Sequence, residues 1–414
     1  MTACMQAGEH RPGHKAIPWR TVAIVGFIVC MYGAGMAAVL PVLPFYVREM
    51  GGSALILGVV FAIEALSQFV FAPLIGQLSD RYGRKRVLLA TQVVAAASLL
   101  LLAAAPGLLC VLLARALFGT AAGNLSAAAA YVAERSHPDH RRQAIGILTG
   151  SVGLGGIVGA GLSGLLSDVS LTAPIYAALL LTLLALCAAT YGLDDGHAAP
   201  AEPGQAHRAG GSIASVLRAP AIRILLAVMM CHFFAFGMYT SQVPVFLADT
   251  FVWNGHAFGP KQLSYLMMAD GAVNVLVQFS LLGWLGARFS DRSLIVLIFT
   301  LLGTGFVVLG LAGTIPVLVF AVLCVSIGDA IAKPTYLAAL SVRTPLPRQG
   351  AMLGAAQALI AVADVASPVV GGLLLSHALH GAWIGLAVGV AVAGAAAAFA
   401  GLPAARAARQ DMRA

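Results

Sequence analysis

Twelve apolar stretches, each long enough to cross a bilayer, recur along this chain. One α-helix needs about 20 mostly apolar residues to span the hydrocarbon. Twelve crossings therefore use roughly 240 residues and leave short loops with no room for a second soluble domain. Composition agrees, because 60% of the 414 residues are hydrophobic and only 10% are charged. A soluble domain is about half apolar and a quarter charged. Lipid is the solvent this chain demands.

The expected spans are 21–46, 55–78, 86–105, 108–133, 143–166 and 171–192, then 221–248, 262–286, 292–312, 315–338, 351–376 and 382–402. Residues 194–220 hold Pro200, Pro203, Gly204, Gly210 and Gly211 and form the one long polar stretch, read as a linker. The expected fold is an all-α membrane protein of 12 transmembrane helices in two pseudo-symmetric six-helix bundles, 21–193 and 221–402. Residues 1–20 and 403–414 are its polar ends. Residues 1–20 have no apolar core or cleavage site of signal-peptide type, so the first helix is expected to insert the chain itself.

Of 24 Lys and Arg residues, all but Arg48, Arg115, Lys261 and Lys333 fall at the ends or in loops after even-numbered spans. Cations collect on the cytoplasmic side, so both termini are expected to be cytoplasmic. The net charge of +8 marks that side and is not a nucleic-acid footprint. The six cysteines form no CxxC, and all but Cys4 lie in apolar stretches. No disulfide framework, metal site or cofactor is expected.

Between the second and third spans lies Gly76-Gln-Leu-Ser-Asp80-Arg81-Tyr-Gly83-Arg84-Lys85-Arg86. Gly83 suits a tight turn at positive φ, and Gly76 suits the approach of a neighbouring helix. Asp80 can meet Arg84, while the cations anchor the loop at the membrane surface. After the eighth span, 283–292 echoes this loop weakly, and the alignment places Glu64 within one residue of Asp270.

These residues resemble the major facilitator superfamily, and within it the twelve-helix drug and metabolite exporters. Arg115-Ala-Leu-Phe-Gly119 looks like the family's fourth-span signature, whose arginine is implicated in proton coupling. Gly153 to Gly164 looks like the exporter-associated fifth-span signature, with Ala160 in place of a usual proline and Ser163 in place of a usual glycine. Gly155, Gly159 and Gly164 supply small residues for close helix packing. The GxGxxG string at 159–164 follows no strand, which rejects a dinucleotide site.

Four carboxylates fall inside spans: Glu64, Asp270, Asp329 and Asp364. A charge within the membrane is costly unless paired or hydrated, and it is a functional hypothesis by default. Glu64 and Asp270 are the leading candidates for proton coupling, with Asp364 beside them and Arg115 tuning them. Gln68 shares a face with Glu64, and Gln357 one with Asp364. Asp329 and Lys333, four apart, are expected to pair as a gate. His232, His377 and His380 are read as satisfied or solvated. Phe233, Phe234, Phe236 and Tyr239 are either an aromatic substrate wall or ordinary packing.

The expectation is a monomeric inner-membrane transporter that exports a small organic compound, such as a drug, siderophore or other metabolite. Protons would enter in exchange, and no ATP-binding signature supplies another energy source. Import of a nutrient and ligand sensing without flux are the alternatives. The sequence shows no nucleophile–base constellation of an enzyme.

Overall fold

The computed structural model describes residues 19–121, 124–135, 138–193, 220–345 and 348–403. The expected linker, apart from Pro220, lies outside the described residues, as do 1–18 and 404–414. Among the described residues eleven helices are long and apolar enough to cross a membrane, and the shorter apolar Leu108–Thr120 completes a set of twelve. In the first half they are α1 (Trp19–Val39), α2 (Ala54–Tyr82), α3 (Arg84–Ala103), α4 (Leu108–Thr120 and Asn124–Arg135), α5 (Pro138–Leu166) and α6 (Ala173–Gly192). In the second half they are α7 (Pro220–Thr250), α8 (Pro260–Arg288), α9 (Asp291–Gly310), α10 (Ile315–Val342), α11 (Gln349–Ser376) and α12 (His380–Gly401).

Three helices depart from a smooth span. The expected first helix, 21–46, stops at Val39, turns through 40–42, and resumes as Leu43–Glu49. Pro41 and Pro44 explain the break, since neither can donate a backbone hydrogen bond to the turn before it. In α8, Val277–Leu281 widens into a π-helical turn. Residues 122–123, which divide α4, lie outside the described residues. Between α7 and α8, Val252–Trp253 pairs with His256–Ala257 as a small hairpin. Its Asn254-Gly255 turn has both residues at positive φ, the chemistry such a two-residue turn requires.

Helix pairing repeats with an offset of six. In the first half α1 packs on α5 and α6, α3 on α4 and α6, and α2 on α4. In the second, α7 packs on α11 and α12, α9 on α10 and α12, and α8 on α10. Each lobe has its own apolar core, around Ile28 and Leu88 or Leu57 and Leu99 in the first half and around Phe299, Tyr336 and Trp383 in the second. The lobes meet chiefly where α2 crosses α11 and α5 crosses α8.

Small residues make these contacts possible. A Cβ at Gly155 would lie 2.3 Å from the Cys30 carbonyl oxygen, and one at Gly159 would lie 2.0 Å from that of Ala34. Those two glycines seat α5 against α1, as their spacing predicts. Gly164 instead faces Ser264 of α8, 3.1 Å from a built Cβ, so it serves the contact between lobes. Gly76 differs from expectation: a Cβ there meets nothing within 4 Å among the described residues.

Candidate transport cavity

Odd-numbered helices begin at the end of the molecule that carries the cations of the α2–α3 and α8–α9 turns, here termed the basic face. At the opposite face the lobes are pressed together. A Cβ at Gly58 would lie 2.2 Å from the Pro368 carbonyl oxygen, and one at Gly372 would lie 2.4 Å from that of Ala54. Towards the basic face, a Cβ at Gly76 of α2, Gly146 and Gly150 of α5, Gly283 and Gly286 of α8 or Gly354 of α11 would meet nothing within 4 Å among the described residues. All four helices that join the lobes thus converge at one end and part at the other. The molecule is a V that opens on the basic face.

Side chains close the opposite face. Arg48 forms an ion pair with Asp249 of the other lobe, and Lys261 forms one with Asp168. These are the two cations that the charge count placed on the wrong side, and each meets an aspartate across the lobe boundary. The Gln242 amide adds donations to the carbonyls of Pro368, at 3.0 Å, and Ala54, at 3.4 Å.

Inside the V lies a cavity of about 330 Å³. Glu64 and Gln68, one turn apart on α2, both line it, as do Asp270 of α8 and Asp364 of α11. Phe61, Phe236, Tyr239, Met36 and Met267 supply apolar and polarizable walls, and Thr240 and Ser241 add hydroxyls. Acids from both lobes therefore face one space, which neither half of the sequence could reveal by itself.

In the first lobe Glu64 is paired. Arg115 of α4, 2% exposed, forms a hydrogen-bonded ion pair with it. The Arg115-x-x-x-Gly119 spacing now has a physical reason. A Cβ at Gly119 would lie 2.4 Å from the Glu64 carbonyl oxygen, so Gly119 lets α4 close on α2 one turn from the arginine. The guanidinium also sits 5.0 Å from the centre of the Phe118 ring, a cation–π contact.

In the second lobe Asp270 accepts a hydrogen bond from the Ser326 hydroxyl of α10. Asp329 does not pair with Lys333 among the described contacts, contrary to expectation. It turns towards His232 of α7, whose Nε2 lies 3.4 Å from its Oδ1. Residues four apart on a helix can meet, but a buried partner on a neighbouring helix competes, and here it wins. Lys333 instead lies in electrostatic range of Asp364. Gln357 is exposed and is not among the residues lining this cavity. Sequence reading missed Ser326 and the partnership of His232. The one available signal was a histidine inside an apolar span.

The loop residues fall where their chemistry suggests. Gly83 has φ +95°, and Asp80 pairs with Arg84 at 2.9 Å. Arg81 lies over Tyr82, and Lys85 opens α3 one residue after Arg84. The weak echo at Asp291 pairs with Arg343 at 2.8 Å, tying α9 to α10.

A family model described as Major Facilitator Superfamily matches residues 25–368. The tetracycline resistance protein of class G from Vibrio anguillarum is 31% identical over 382 residues, covering 88% of this chain and 93% of its own. The class C protein from Escherichia coli is 29% identical over 357 residues, covering 84% and 88%. Among solved structures, the human organic anion transporter MFSD10 superimposes with a TM-score of 0.64 at 20% identity. That alignment covers 92% of this chain and 99% of the transporter. It is a likeness of fold alone.

Proposed function

The chain belongs to the major facilitator superfamily, and on that premise we propose that it exports a small organic compound across the inner membrane in exchange for protons. The observation that carries the proposal is the acid-lined cavity between two lobes that touch at one end and part at the other. Rocking the lobes about such a site exposes it to each side in turn.

The basic face is cytoplasmic in this reading, because cations collect on that side. The structure is then the loading state, with its cavity open to the cell interior. Apolar walls and carboxylates suit an amphipathic compound carrying positive charge. Relatives named for tetracycline resistance make tetracycline the first probe. Asp270 and Asp364 exchange the proton with cavity water, and Glu64 with Arg115 holds the first lobe's share of the charge. The transporter works as a monomer and needs no bound cofactor.

Inverted membrane vesicles containing the protein test this directly. Acidifying the lumen should drive tetracycline inward, and a protonophore should abolish the accumulation. Accumulation that survives the protonophore, or none in vesicles whose protein is folded, would overturn export by proton antiport of this drug class.

A further inference from the structure

We infer that His232 and Asp329 are a second proton-holding pair, working behind Asp270 as a titratable counterpart of Arg115. The inference rests on the antiport reading above. His232 is fully buried, yet its Nδ1 has no hydrogen-bond partner among the described residues. The hydroxyl of buried Tyr336 has none either. Aromatic rings enclose the imidazole: Phe233, Phe236, Phe299 and Tyr336 all lie with centroids between 5.2 and 6.1 Å from it. An apolar ring would fill this box without leaving a nitrogen unsatisfied. The imidazole's distinguishing contact is the Asp329 carboxylate.

The charges around the pair explain its use. The titratable neighbours are Asp329 and Tyr336 from α10 and Cys231 beside it on α7. Asp270 of α8 lies in electrostatic range of Asp329, whereas Lys333 of α10 acts on Asp364 of α11. Two carboxylates and one imidazole are therefore grouped at one wall of the cavity, with Asp270 facing it. With one proton between them the group carries one negative charge, and with two it is neutral. The second proton enters from cavity water at a carboxylate oxygen of Asp270. Its charge is then shared by two acids that a protonated imidazole holds together. His232 acts through Asp329, so it is a positioning residue.

Two readouts separate this role from packing. The first is nuclear magnetic resonance of the full-length protein carrying labelled histidine rings, with His232 assigned by its loss in His232→Gln or His232→Asn. Its signal should change with pH, and the pH dependence should be altered in Asp270→Asn. A signal that is constant with pH, or indifferent to Asp270→Asn, overturns the inference. The second is the pH profile of tetracycline uptake in proteoliposomes. His232→Gln keeps an amide beside Asp329 but cannot titrate, so its profile should lose one ionisation. A profile identical to that of the unsubstituted protein overturns the inference equally. If the unsubstituted protein moves no tetracycline, the export reading fails, while the resonance experiment still decides whether the triad shares its protons.

Discussion

The two lobes place an acid at matching positions and treat it differently. Glu64 of α2 meets a guanidinium from α4, whereas Asp270 of α8 meets a hydroxyl from α10. An arginine stays charged at any pH the cell experiences, so Glu64 always faces a fixed positive charge. Asp270 has no cationic partner in an ion pair among the described residues. It can take a proton without stranding a cation, and the nearest candidate for compensation is an imidazole one residue further back. Pseudo-symmetry thus supplies the scaffold, and the break in symmetry supplies the chemistry.

The largest effect expected from disturbing this arrangement comes from Arg115→Ala. It leaves a buried carboxylate unpaired, which costs about 3–5 kcal/mol, and thermal unfolding of the purified protein should register the loss. Replacing both members by leucine should recover much of it. A stable single variant would mean that Glu64 is not held by the arginine. Next comes Asp270→Asn, which should lower proton-driven accumulation by about 100-fold, or ~2.7 kcal/mol, with little change in folded yield. Normal accumulation by that variant would remove Asp270 from the coupling and erase the proposed contrast. The smallest effect is expected for Ser326→Ala, about 1 kcal/mol of stability for a single hydrogen bond, with an altered pH profile of uptake. A loss as large as that of Arg115→Ala would show that the hydroxyl is as structural as the guanidinium.

How much of this was written in the sequence depends on whether a feature is local. The places of the apolar helices and the Gly83 turn depend on residues close together in the chain, and both are found where the residues suggest, apart from the break after Val39. Glu64 and Arg115 could each be singled out as costly charges, but 51 positions separate them, and no spacing rule pairs residues on different helices. Asp329 and Lys333 show the opposite error. They satisfy the one-turn rule, yet His232 from α7 takes the aspartate. Gly76 fails for a similar reason, since a small residue permits close approach but cannot bring a partner. The two far-side cations, Arg48 and Lys261, looked like exceptions to a counting rule until the lobes were seen together.

Pro44 has a position with an electrical consequence. It lines the central cavity and also a second cavity of about 200 Å³, bounded by Arg48, Ser53 and Asp249 at the opposite face. Pro44 alone borders both, so it forms part of the septum between them. In a bilayer the voltage falls where water ends, so most of it is focused across this septum instead of being spread over about 30 Å of hydrocarbon. Each elementary charge carried past it exchanges about 2.3 kcal/mol per 100 mV. A rocking displacement that carries a charge past Pro44 therefore performs electrical work in addition to moving substrate.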